Sequence, residues 1–247
     1  METGAVENAG QGALEAPDPS TPLAAQVRSM LFELADPDYR DFNAKLIPTL
    51  APGRVIGVRM PKLRSLARQL ATEGQAEPYL DAQPHYYLEE SHLHGLILNQ
   101  ERDFAAAVDK LVAFLPQVDN WATCDLLKPV AFSPRPVGLE QQAFAWMESS
   151  HTYTLRFGVS VLRNFFLGEG FREEQLDAAA AVPGGDYYVE MAVAWYFAEA
   201  LAQRWDQAIP FLEQRRLPSG THARAIRKAC ESFRISAERK DYLRTLR

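Results

Sequence analysis

The sequence predicts an all-α fold, a stack of two-helix repeats wound into an α–α superhelix with a concave groove. Three observations carry that reading. Apolar residues recur at helical spacing almost everywhere from Pro22 onward, with no alternating run that would mark a strand. The breaks between the periodic stretches are two to six residues rich in Pro, Gly and Asp, such as SPRPVG, GEG, VPGGD and LPSGT. One helix type also recurs. HYYLEESHLHGLIL from His85, HTYTLRFGVSVLRNFF from His151 and DYYVEMAVAWYFAEAL from Asp186 each open with an aromatic turn. Stepping 33 residues on from Tyr87 reaches Asn120, beside Trp121. The same step from Tyr188 reaches Thr221, which opens THARAIRKACESF. Five helices therefore recur every 33 to 35 residues, each followed by a second helix. That is the period of a two-helix solenoid, whose pairs must stack to bury their apolar faces.

The elements follow in order. Residues 1–21 are small, acidic and aperiodic, and are expected to form a disordered tail ahead of a single domain over 22–247. Leu23–Leu34 is amphipathic. A short helix over Tyr39–Leu50 is expected to stop at Pro48 and Pro52, and Pro61 opens a helix to Ala71. Further helices are expected over 84–99, 101–115, 119–132, 137–149, 152–167, 172–181, 186–203, 205–215, 220–232 and 236–246. The stretch DNWATCDLLKPVAF (119–132) sets Trp121 and Asp125 four residues apart, on one helix face behind an Asp119 or Asn120 cap. A core Trp beside a solvated Asp is the plain reading of that pair. Its place in the repeat points instead to the groove.

Composition narrows the function classes. The 247 residues hold no apolar run long enough for a membrane span. The N-terminal stretch lacks the features of a secretory signal or transit peptide, so a cytoplasmic, intracellular protein is expected. Cys124 and Cys230 lie far apart, as free thiols of a reducing compartment would. His92 and His94 point in different directions on a helix. No Cys/His cluster has ligand spacing, so no metal or other cofactor is expected.

Net charge is −6, but it is polarised. Residues 54–72 carry Arg54, Arg59, Lys62, Arg64 and Arg68 without an acid, while residues 73–111 carry eight acids against Arg102 and Lys110. Residues 213–247 carry ten Lys or Arg against Glu213, Glu231, Glu238 and Asp241. If the recurrent helices line the groove, they gather Glu90, Trp121, Asp125, Arg156, Trp195, Arg224, Arg227 and Lys228, with basic segments at both ends. Such a groove suits a polyanion with a reacting group at its centre. Arg163 and Trp146 read as outer-helix residues, and Trp205 as core packing.

Four segments resemble the AlkD-like DNA alkylation-repair family, HEAT-like repeat DNA glycosylases. They are GVRMPKLRSLARQL (57–70), WATCD (121–125), YTLRFGVSVL (153–162) and EMAVAWYF (190–197). The resemblance runs from about Leu31 to Arg234. It implies a HEAT-like solenoid that hydrolyses the N-glycosidic bond of cationic N3- or N7-alkylated purines without flipping the base. It makes Asp125 the catalytic carboxylate, with Trp121 and Trp195 flanking the sugar and Arg156 holding the adjacent phosphate. Arg59, Lys62, Arg64, Arg224, Arg227 and Lys228 become DNA contacts of a monomer acting on alkylated or distorted duplex DNA. Two readings stand beside it. A non-catalytic binder of damaged, bent or branched DNA needs only the basic ends and the aromatics. It fits the two-proline segment YRDFNAKLIPTLAPG, where the family's glycosylases carry an amphipathic helix. A solenoid that binds protein partners is the base-rate reading of helical repeats.

Overall fold

Fourteen α-helices succeed one another along the computed structural model, which describes residues 16–247, and no strand occurs among the described residues. They are α1 (Pro22–Glu33), α2 (Pro37–Leu46), α3 (Met60–Thr72), α4 (Ala76–Asp81), α5 (Leu88–Leu98), α6 (Phe104–Phe114) and α7 (Trp121–Leu126). After them come α8 (Leu139–Met147), α9 (Thr152–Phe165), α10 (Glu173–Ala180), α11 (Tyr187–Gln203), α12 (Trp205–Glu213), α13 (Ser219–Glu231) and α14 (Ala237–Thr245). Alternate helices α3, α5, α7, α9, α11 and α13 each pack on the next, forming one layer. Within the C-terminal half, α8, α10, α12 and α14 pack against members of that layer. The chain is thus an all-α solenoid of helix pairs, with the five recurrent helices of the sequence as α5, α7, α9, α11 and α13.

The expectation for the tail falls mostly on residues 1–15, outside the described residues. The Pro17 carbonyl accepts from Arg28 and the Ser20 hydroxyl donates to the Ala82 carbonyl, so 17–20 run along the first helices. Most helix bounds lie within two residues of those expected. One departure has a clear cause. The helix expected over 119–132 ends at Leu126, because Pro129 disfavours helical backbone before it; Leu127 is extended, and a 3-10 turn follows at Val130–Phe132. The helix expected from residue 84 begins at Leu88, with the aromatic turn extended ahead of it. The six-residue α4 was not expected.

Buried polar groups tie the layer together. Glu89, 1% exposed, accepts from the backbone N–H groups of Ile56, Gly57 and Val58. It thereby supplies acceptors to the loop before α3. Glu90, expected in the groove, is instead buried: it pairs with Arg28 and accepts from the N–H groups of Tyr86 and Tyr87. Gly158 lets α9 approach α8 closely. A Cβ there would lie 2.6 Å from the Ala143 carbonyl oxygen and 2.8 Å from Met147 Cγ. Gly158→Ala is expected to destabilise the fold by about 1–3 kcal/mol through overpacking, seen as a lower melting temperature.

Two buried histidines, His92 and His94, and the partly buried His85 add a pH dependence. His85 and His94 are 3.0 Å apart, and His94 stacks on Phe114. Burial pulls His85 and His92 down to about 4 and holds His94 well below its ordinary value. The unfolded chain therefore binds more protons than the native one between about pH 6.5 and 4, and stability falls as the pH falls through that window. The loss is up to about 3 kcal/mol for each of His85 and His92. Glu89, raised by burial, opposes it in part. Urea unfolding at pH 7 and pH 4.5 measures the difference, and His92→Leu is expected to shrink it. Among the described residues no helix is long and apolar enough to cross a membrane, and no three His, Cys, Asp or Glu side chains group as a metal site. Cys124 is buried and Cys230 partly buried, both free.

Candidate functional site

The Asn120 side chain accepts from the Thr123 N–H at 2.8 Å and starts α7, which fixes Trp121 in its first turn and Asp125 one turn later. Across from Asp125, on α9, stands Arg156. Its Nε and Nη2 donate to the two carboxylate oxygens at 2.8 and 2.7 Å, and its Nη1 donates to the Tyr188 carbonyl on α11 at 2.7 Å. One guanidinium thus joins three successive layer helices. It is 2% exposed, whereas the Asp125 side chain keeps 18% of its surface. Burial alone would lower the Arg156 pKa; the hydrogen bonds and charge of Asp125 outweigh it and hold the group above its ordinary value.

Trp195 lies beside this pair, with the guanidinium carbons of Arg156 and Arg163 each 5.4 Å from its ring centre. Trp121 donates its indole N–H to the Leu46 carbonyl at the end of α2, at 3.1 Å. Between the two indoles opens a mainly apolar cleft of about 350 Å³, lined by Trp121, Trp195, Arg156, Tyr188, Met191 and Lys228, with Leu46 and Pro48 at its rim. A second, more polar cleft of about 630 Å³ adjoins it across Trp195 and Lys228.

The structure brings Trp121, Arg156, Trp195 and Lys228 to the lining of this cleft, and Asp125 is joined to it through its pair with Arg156 rather than as part of the lining. The other cations expected to meet DNA stand apart from the cleft lining. Arg59 pairs with Asp36, Lys62 donates to the Leu34 carbonyl, and Arg64 and Arg227 are exposed. Arg224 pairs with Glu190 at 2.7 Å and lies over Tyr187, whose ring reaches the cleft. Arg163 is not an outer-helix residue: it follows Arg156 by seven on α9, two turns along the same face, and lies over Trp195. Trp146 is core, packed against Phe132 and Phe157, and Trp205 is partly buried under Arg239. Sequence reasoning missed Arg163, Tyr187, Met191 and the α2 rim. The seven-residue spacing to Arg156 was the available signal for Arg163.

A buried guanidinium that fixes both oxygens of a half-buried carboxylate presents that carboxylate in one orientation. Two indoles line the cleft that Arg156 borders, and aromatic faces offer negative π surface to a cation, as the two guanidiniums over Trp195 already show. The arrangement can stabilise positive charge developing between the indoles. It contains no nucleophile–base pair of the Ser–His kind. A family profile described as DNA alkylation repair enzyme matches residues 27–233, the greater part of the chain, all of these side chains included. Comparison with curated proteins gives no match.

Proposed function

The chain belongs to the DNA alkylation repair enzyme family, which gives it a role in DNA repair, and from that premise we propose that it is a glycosylase for cationic alkylpurines. It hydrolyses the N-glycosidic bond of N3- or N7-alkylated purines in duplex DNA and leaves the base in the helix during reaction. The observation that carries the reading is the Asp125 carboxylate, held in one orientation by Arg156 on the layer that bears Trp121 and Trp195.

An alkylated purine already carries positive charge and leaves readily, so the remaining task is to stabilise the oxocarbenium-like sugar and direct a water onto it. Asp125 supplies the negative charge and accepts from the water through lone pairs that Arg156 does not occupy. Trp121 and Trp195 flank the sugar and add π-face stabilisation. Arg156 acts through Asp125, as a positioning residue, because its donors already have acceptors within the chain. No flipped-base pocket is required, in contrast to enzymes that extrude their target.

The test is release of free base from a duplex bearing N7-methylguanine, at neutral pH and low salt, against an undamaged duplex. Release from the first alone supports the reading. A second reading has its own observation. An Arg–Asp pair with both carboxylate oxygens bonded is also what a purely structural bridge looks like. A repair protein that only binds distorted DNA would bind both lesion and bent duplexes in this assay and release nothing.

A further inference from the structure

Arg163 has no acceptor of its own. It is partly buried on the face of α9 that carries Arg156 and stacks on Trp195, and no hydrogen bond or ion pair ties its guanidinium within the described residues. Every other charge around the 630 Å³ cleft is matched: Lys228 pairs with Glu231 at 2.7 Å, and Glu199 with Arg234. Burial holds the Arg163 guanidinium below its ordinary value; the charges of Asp125 and Glu199 oppose that shift without outweighing it, and neither carboxylate bonds to the group. A charge held in this way costs stability unless an anion completes it. The cleft it faces is polar, lined also by Asn164, Gln203 and Ser232, and is large enough for a phosphate with its flanking sugar oxygens.

We propose that this cleft receives one phosphodiester of a DNA strand, with Arg163 as the residue that carries it. The two clefts share Trp195 and Lys228. A strand whose sugar lies between Trp121 and Trp195 therefore runs its neighbouring phosphate past Trp195 onto Arg163. The planar guanidinium, already oriented by the indole, offers a two-pronged contact. Lys228 leaves Glu231 to share the charge. The role expected of Arg156 thus passes to the arginine two turns further along α9. This inference rests on the DNA-repair reading of the site.

The test measures duplex binding by fluorescence anisotropy across a salt series, for wild type, Arg163→Gln and Arg163→Lys, with thermal melting of each. Arg163→Gln is expected to weaken binding roughly 10- to 100-fold. It should also reduce the slope of log affinity against log salt by about one, the loss of one phosphate contact. Because Arg163 has no intramolecular acceptor, the variant should melt at or above wild type. Arg163→Lys should recover part of the affinity. A duplex scanned with single neutral methylphosphonates should show one position where wild type loses affinity and Arg163→Gln loses none further. Equal affinity and salt slope in wild type and Arg163→Gln would overturn the proposal while leaving the DNA-repair reading intact. Weakened binding with a lowered melting temperature that Arg163→Lys does not rescue would assign Arg163 to packing and overturn it too. Failure of wild type to bind any duplex would remove both readings together.

Discussion

Asp125→Asn is expected to reduce release of N7-methylguanine by at least about 100-fold, the scale of losing one preorganised electrostatic group at a reacting centre. The substitution keeps the shape of the side chain and removes its negative charge. What remains beside the sugar is the Arg156 guanidinium without its counter-ion, a repulsive neighbour for a developing oxocarbenium. Both effects act in the same direction, which is why the expected loss exceeds that for either tryptophan. Stability should fall as well, by about 1–3 kcal/mol, since the amide cannot accept both guanidinium bonds. The rates are therefore compared below the melting temperature of the variant. Binding of undamaged duplex should change little, because the phosphate contact proposed for Arg163 does not involve the Asp125 carboxylate. A variant that releases base at the wild-type rate would remove Asp125 from the chemistry.

Arg156→Met carries the largest expected effect on the fold. The guanidinium is buried, with its donors distributed to Asp125 on α7 and the Tyr188 carbonyl on α11. Removing it leaves a carboxylate with 18% side-chain exposure and a backbone carbonyl without their donor, and unlinks three helices of one layer. Breaking a buried pair from one side costs about 3 kcal/mol or more. Urea unfolding should show the midpoint fall accordingly, and base release should fall with it, because Asp125 loses its fixed orientation. Arg156→Lys should restore only part of either. A lysine keeps the charge but cannot reach two carboxylate oxygens and a carbonyl in one plane. An unchanged midpoint in Arg156→Met would mean that the bridge adds nothing to the layer.

Much of this layout was readable from the chain. The aromatic turns at Tyr87, Tyr153 and Tyr188 recur because each opens a helix of the packed layer, so their spacing revealed the stack. Trp121 and Asp125, four apart behind an Asn cap, fall on one face by their spacing alone. What hid the rest is physical. Pro129 stops α7 early, an effect that hydrophobic periodicity masks because the following VAF remains buried or apolar. Glu90 looks like a groove carboxylate by its position in the repeat. Its partner, Arg28, lies 62 residues away in a different helix, and no local pattern predicts such a pairing. Arg163 was set aside as an outer residue although its seven-residue spacing from Arg156 puts both on one face. The cations at 59–64 read as a basic patch, yet Arg59 and Lys62 have acceptors within the chain, contacts that charge counting cannot see.

The most direct measurement is single-turnover base release from one duplex carrying N7-methylguanine, with binding to that same duplex recorded alongside, for wild type and Asp125→Asn. The account predicts that both proteins bind and only wild type releases base at an appreciable rate. Equal binding with no release from wild type would contradict it, and would leave the bridge between Asp125 and Arg156 as a structural link in a DNA-binding solenoid.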